Sequence, residues 1–185
     1  MTVCQDKLPE FETLFSALLN KFADKMTQPW VQIDTAKQRL YLVNQNHIES
    51  SYPISTSKYG LGGEQDSYKT PLGAHAVAQK IGSQCQLNEI LRARQPTGEC
   101  ADIIATPIAS EQDLVLTRIL WLQGLEPGKN SGPGVDSHER YIYIHGTQEE
   151  GLIGTPASHG CIRMMNADIV ELFDRISENT FIYIC

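Results

Sequence analysis

From Trp30 onward the apolar residues of this chain fall on alternate positions, and that period of two constrains the fold more than any other feature. Val31 and Ile33 alternate with polar neighbours, as do Leu40 and Leu42 beyond the short polar turn Asp34-Thr35-Ala36-Lys37. Successive side chains of a strand point to opposite faces, so such runs form half-buried strands, and two of them around a tight turn form a hairpin. A third run near Ile48 to Ile54 extends it. Further strands are predicted for His75 to Ile81, Leu114 to Leu122, Tyr141 to Ile144 and Thr180 to Cys185. The segments between them are turn-forming: Gly60-Leu61-Gly62-Gly63, Thr70-Pro71-Leu72-Gly73, and residues 124–137 with four glycines and two prolines. A chain patterned in this way is mainly β, with helices at its margins.

Helical spacing occurs near both ends. Leu8, Phe11, Phe15, Leu18, Phe22 and Met26 recur every three or four residues and make one apolar stripe before Pro29 interrupts it. Near the other end Asn166 suits an N-cap, and Ile169, Leu172, Phe173 and Ile176 supply a helical face. Residues 83–113 read as an excursion from the sheet, with a possible short helix at Leu87 to Arg94. At 185 residues the chain can bury one core. The division expected is a helical extension over 1–28 and a main domain over 30–185.

Charge narrows the partners. With 15 basic against 22 acidic residues the net charge is -7, and the basic residues are scattered. Nucleic acid and anionic membrane surfaces both call for a basic patch, so the pattern favours a small-molecule or peptide substrate. No window reaches the roughly 18 apolar residues of a membrane span. In residues 1–26 charges interrupt every apolar run, and no apolar segment precedes Cys4, so neither an export signal nor a lipid anchor is read. A cytoplasmic location is the expectation. The five cysteines are odd in number and widely spaced, without a paired motif, and so read as reduced thiols.

The chemistry concentrates in Ser158-His159-Gly160-Cys161-Ile162-Arg163-Met164, with Cys161 sixteen residues after His145. A thiol attacks a carbonyl as thiolate, so it needs an imidazole nearby to take its proton. His145, at a strand end, and His159, next to Gly160, are both candidates. Gly160 permits a tight turn in which the amides of Gly160 and Cys161 face one point, as an oxyanion hole requires. Arg163 could hold a substrate carboxylate with its planar fork, or could pair with Asp168 or Glu171 on the following helix. Lys58, Arg118 and His138 have no distinguishing context and read as surface residues. A three-ligand zinc centre from His145, His159 and Cys161, with His138 as a further candidate ligand, is an alternative use of the same side chains.

The pattern His145-Gly146-Thr147, then Ile153-Gly154, then Ser158 to Met164, resembles the active-site signature of YkuD-type L,D-transpeptidases. The Thr70-Pro71-Leu72-Gly73 turn matches that family's upstream motif, and the similarity covers roughly residues 30–185. The resemblance implies a β-sandwich of mixed sheets with small flanking helices and no metal or organic cofactor. It makes Cys161 the nucleophile and His145 the base, with the Gly146 carbonyl fixing the imidazole tautomer. Ser158 and His159 would shape the site, and the amides of His159, Gly160 and Cys161 would hold the oxyanion. The implied donor is a peptidoglycan stem tetrapeptide, cleaved with loss of D-Ala through a thioester. Transfer to an amine would cross-link stems or exchange D-amino acids. Transfer to water would make an L,D-carboxypeptidase acting on soluble muropeptides, the outcome expected for a cytoplasmic enzyme. A module that binds stems without turning them over is the rival from another class. The acceptor, the third stem residue and the oligomeric state are not legible in the sequence.

Overall fold

The computed structural model describes residues 9–45 and 47–185, with side chains from residue 13 onward. After helix α1 (Pro9–Phe22) come strands β1 (Trp30–Asp34), β2 (Arg39–Asn44) and β3 (His47–Ser55), paired antiparallel in sequence order. β10 (Phe181–Ile184) lies parallel to β1 on its other side. β4 (Gly73–Ile81) pairs antiparallel with β10 and also with β7 (Leu116–Gly124). β7 carries β8 (Tyr143–Gly146), which runs parallel to β9 (Ile162–Met164), and β9 returns antiparallel to β3. The faces of the expected sandwich are thus one continuous mixed sheet, closed on itself in the order β4-β10-β1-β2-β3-β9-β8-β7 and back to β4. A hairpin of β5 (Glu89–Arg92) and β6 (Gln95–Cys100) hangs from β7.

The alternating residues that predicted these strands fill the interior. Val31, Ile33, Leu40, Leu42, Ile54, Leu120, Leu122, Ile144 and Ile162 are fully buried together, and helix α2 (Asn166–Arg175) adds Ile169, Leu172 and Phe173. Helix α1 packs outside the closed sheet. Phe15 stacks on Trp30 with centroids 5.9 Å apart, and Phe22 meets Phe181 at 5.7 Å. An isolated 14-residue helix is marginal in water. Burial of side chains such as these, at ~1.5–3 kcal/mol each, holds it in place. The exposed Lys21–Glu126 ion pair adds little. Leu8 lies outside the described residues, as does the Phe11 side chain.

Four sequence expectations are corrected. Leu87 to Arg94 is not helical: Ala93 and Arg94 have φ of 49° and 66°, a two-residue turn with both residues left-handed, and this closes the β5–β6 hairpin. The strand expected from Tyr141 begins at Tyr143, because Tyr141 turns left-handed at φ 55°. Asn166 is the first residue of α2, with Met165 at the cap, and its side chain points into the protein. Arg118 is buried, donating to the carbonyls of Cys85 and Thr117, while His138 stacks on Trp121 at 4.0 Å. Lys58 is exposed.

Candidate active site

The parallel pairing of β8 with β9 sets His145 opposite Arg163 and Ile144 opposite Ile162. One register step earlier, the Cys161 sulfur accepts a hydrogen bond from the Tyr143 N–H at 3.4 Å. Side chains alternate along a strand, and Ile144, Ile162 and Met164 face the core. Tyr143, His145, Cys161 and Arg163 therefore share the opposite face as a two-by-two patch. His145 and Cys161 are diagonal neighbours in it, two register positions apart across the parallel β8–β9 pair. The thiol donates to the Tyr141 carbonyl at 3.3 Å, which the left-handed turn at Tyr141 presents to it.

Local contacts fix the orientation of each group. His145 Nδ1 lies 2.7 Å from the Gly146 carbonyl, so Nδ1 carries the hydrogen and Nε2 keeps its lone pair. A Cβ on Gly146 would run into Asn166 Oδ1, which is why the position needs glycine. Asn166 in turn donates to the Thr147 carbonyl and accepts from Thr117 at 2.6 Å, tying α2 to the end of β8. At Gly160 φ is 126°, a conformation that side chains disfavour. Ser158 Oγ donates to the Cys161 carbonyl at 2.5 Å, closing the turn, and Thr70 donates to the Gly160 carbonyl at 2.9 Å. A peptide's C=O and N–H point in opposite directions. Thr70, held by the Ser57 N–H, thus also fixes where the Cys161 N–H aims. Among the described residues nothing accepts from the amides of His159 and Cys161.

Burial governs the electrostatics. Desolvation pushes the Cys161 thiol up to about 12, against the opposing pull of the Tyr143 amide and the guanidiniums of Arg163 and Arg140. Desolvation also lowers the His145 imidazole to about 4, with Asp113 and the Gly146 carbonyl working the other way. At neutral pH both groups rest neutral, the thiol and the imidazole alike. Such an arrangement can move a proton as the sulfur attacks, and does not store a thiolate in advance.

Arg163 is unavailable to a substrate. Its side chain is 2% exposed, and it is held at 2.6 Å by Glu149 and at 2.6 Å by Asp113. Nor does it pair with Asp168 or Glu171; Glu171 bonds Tyr52 and Arg175. The buried charge is met by two carboxylates, Asp113 just before Leu114 and Glu149 just beyond β8. Asp113 also accepts from His159 Nδ1 at 2.8 Å, so one carboxylate orients an exposed imidazole and a buried guanidinium. Burial works to raise the Asp113 pKa, but Arg163, His145 and His159 outweigh it and hold the carboxyl below its ordinary range. With His159 committed in this way, no group of three or more metal-type ligands forms among the described residues. Sequence reasoning missed Asp113, because residues 83–113 show no period, and missed Thr70 and Asn166 as positioning groups.

The segment 124–137 is anchored. Asn130 donates to the carbonyls of Leu72 and Ala74, Ser137 bonds the buried His75 at 2.9 Å, and Glu126 accepts from the Ala74 amide. An open cleft of about 250 Å³ is lined by Gln65, Tyr68, Arg140, Ile142, and the two residues that connect it to Cys161, Tyr141 and His159.

The family model for the L,D-transpeptidase catalytic domain, YkuD, matches residues 28–184. The chain belongs to the YkuD family. YqjB of Bacillus subtilis (strain 168) is 27% identical over 156 residues, covering 84% of this chain and 70% of YqjB. An L,D-transpeptidase from Mycobacterium smegmatis shares the fold at a TM-score of 0.50 and 14% identity, over 85% of this chain and 58% of that one. One from Mycobacterium tuberculosis H37Rv matches at 0.50 and 13%, over 85% and 58%. The chain thus spans less than two thirds of the solved structures it matches. The residues that resemble the YkuD signature, His145 to Thr147 and Ser158 to Met164, lie within the family match, on and beside β8 and β9. No described helix is long and apolar enough to cross a membrane.

Proposed function

We propose that the protein is a cysteine acyl-transfer enzyme that opens the L,D-peptide bond of a peptidoglycan stem tetrapeptide and passes the acyl group to water. The observation that carries this reading is the shared sheet face. It presents the Cys161 thiol and an imidazole whose Nε2 is left basic by the Nδ1 contact with Gly146. Sγ of Cys161 adds to the carbonyl of the third stem residue while His145 takes the thiol proton. The oxyanion is met by the amides of His159 and Cys161. Collapse breaks the C–N bond, and the proton on His145 goes to the departing D-Ala amine, leaving a thioester. Water then adds with His145 again as base, the C–S bond breaks, and the thiol is restored.

Water is the acceptor proposed, in keeping with the net charge of -7, which favours a small soluble substrate over a polyanion or an anionic membrane surface. The substrate class proposed is accordingly a soluble muropeptide, with residues 30–185 as the catalytic unit. Incubation with disaccharide-tetrapeptide, with and without a stem amine, tests this by product mass. Disaccharide-tripeptide in both reactions is expected. Cross-linked dimer whenever amine is present would replace hydrolysis by transpeptidation, and unchanged substrate would remove the enzymatic reading.

A further inference from the structure

The cation that the sequence offered for a substrate carboxylate, Arg163, is sealed. Another stands in the open cleft. Arg140 is half-buried and is the one permanent cation among the residues lining that space. Its guanidinium is fixed by two backbone carbonyls and a hydroxyl rather than by a carboxylate: Nη2 donates to the Lys69 carbonyl at 2.7 Å and to Ser67 Oγ at 3.5 Å, and Nη1 to the Gly62 carbonyl at 3.3 Å. An arginine has five N–H groups. Three bonds leave two donors uncommitted, and no ion pair forms at this side chain among the described residues. With both Nη2 hydrogens committed, a carboxylate oxygen meets a single remaining N–H, a charge-assisted hydrogen bond from a pre-positioned cation.

The position is informative. The Lys69 carbonyl that holds Nη2 is also 3.6 Å from where a Cβ on Gly160 would sit, so the guanidinium stands two contacts from the turn that presents Cys161. The next residue, Tyr141, supplies the carbonyl that receives the thiol hydrogen. Tyr141 and Tyr68 are 52% and 58% exposed and wall the same space. The guanidinium and the Cys161 sulfur therefore border the same turn, the side on which a residue leaving the thioester would lie. Asp66 and Glu139 on the rim deny the cleft a generally positive field. An anion is held there only by direct contact with Arg140.

We propose that Arg140 binds the free terminal carboxylate of the residue that leaves, which makes the enzyme specific for the end of a peptide chain. This rests on the acyl-transfer reading above and deepens it. A stem whose fourth residue continues into a fifth would place a neutral amide against the guanidinium and lose the contact.

The test compares disaccharide-tetrapeptide ending in a free D-Ala carboxylate with the same compound ending in D-Ala amide. Losing a hydrogen bond to a charged group corresponds to about ten- to a hundredfold. Wild-type kcat/KM is expected to favour the acid by that factor. Arg140→Gln should lose the preference by slowing on the acid alone, and Arg140→Lys should keep part of it; thermal melts confirm that both variants are folded. Equal rates on acid and amide with wild type, or an undiminished preference in Arg140→Gln, would overturn the assignment while leaving acyl transfer intact. If wild type turns over neither compound, acyl transfer fails by itself. Equilibrium binding of the two compounds to Cys161→Ala, with and without Arg140→Gln, then still decides the carboxylate contact.

Discussion

Replacing Arg163 by methionine separates a structural cation from a substrate-binding one. The change keeps most of the side-chain volume and removes the charge. It strands Glu149, which is 4% exposed and keeps only the Ser110 amide, at 2.5 Å, as a short contact. Asp113 is about a third exposed and can be solvated, so the cost falls mainly on Glu149. Removing one member of a buried ion pair costs about 3–5 kcal/mol. For a domain of this size that is roughly 6–20 °C in Tm. Urea denaturation should show the midpoint falling with the slope unchanged. Arg163→Met combined with Glu149→Gln, which leaves no buried charge, should recover about 2 kcal/mol or more of the loss. If Arg163→Met is as stable as wild type within ~1 kcal/mol and only KM for the tetrapeptide rises, the guanidinium serves the substrate and the reasoning from burial is wrong.

Cys161→Ala should leave a folded protein that forms no thioester by mass spectrometry, and His145→Ala should come close to it; Cys85→Ser should retain activity, and equal loss there would contradict the assignment. Thr70→Val removes the hydroxyl that orients the Gly160–Cys161 peptide, so kcat should fall about ten- to a hundredfold with KM little changed, and Thr70→Ser should restore it. Fluorescence-monitored denaturation against pH should show stability falling from pH 6.5 toward 4. The buried imidazoles of His75 and His145 bind protons only near 4 when folded but at about 6.5 when unfolded, so stability rises with pH between those values, by on the order of a few kcal/mol in total. His75→Gln should flatten part of that slope, and a wild-type profile that is flat from pH 6.5 to 5 would refute the burial argument.

The strand periods, the two flanking helices and the Ser158 to Met164 segment were legible in the sequence, because each is written in local spacing. Val31, Ile33, Leu40 and Leu42 alternate whatever they pair with, and the stripe containing Phe15, Leu18 and Phe22 needs only its own helix to be recognised. The parallel register of β8 with β9 is a different kind of fact. It brings residues sixteen apart onto one sheet face, and no local pattern encodes it.

The same limit explains the errors. Arg163 follows the cysteine by two positions and looked like a substrate contact, yet its environment is set by Glu149 and by Asp113, fifty residues upstream in a segment without periodicity. Arg140 carries no motif that marks it as a neighbour of Cys161, and the turn motif that begins at Thr70 does not tell that its hydroxyl reaches the Gly160 carbonyl. The sequence by itself determined the periodic strands, the two flanking helices and which side chains can do chemistry, since these depend on residue type and short spacing. Tertiary structure decided which charges are buried, which are open to a ligand and where each proton rests, since desolvation and long-range pairing exist only once the sheet has closed.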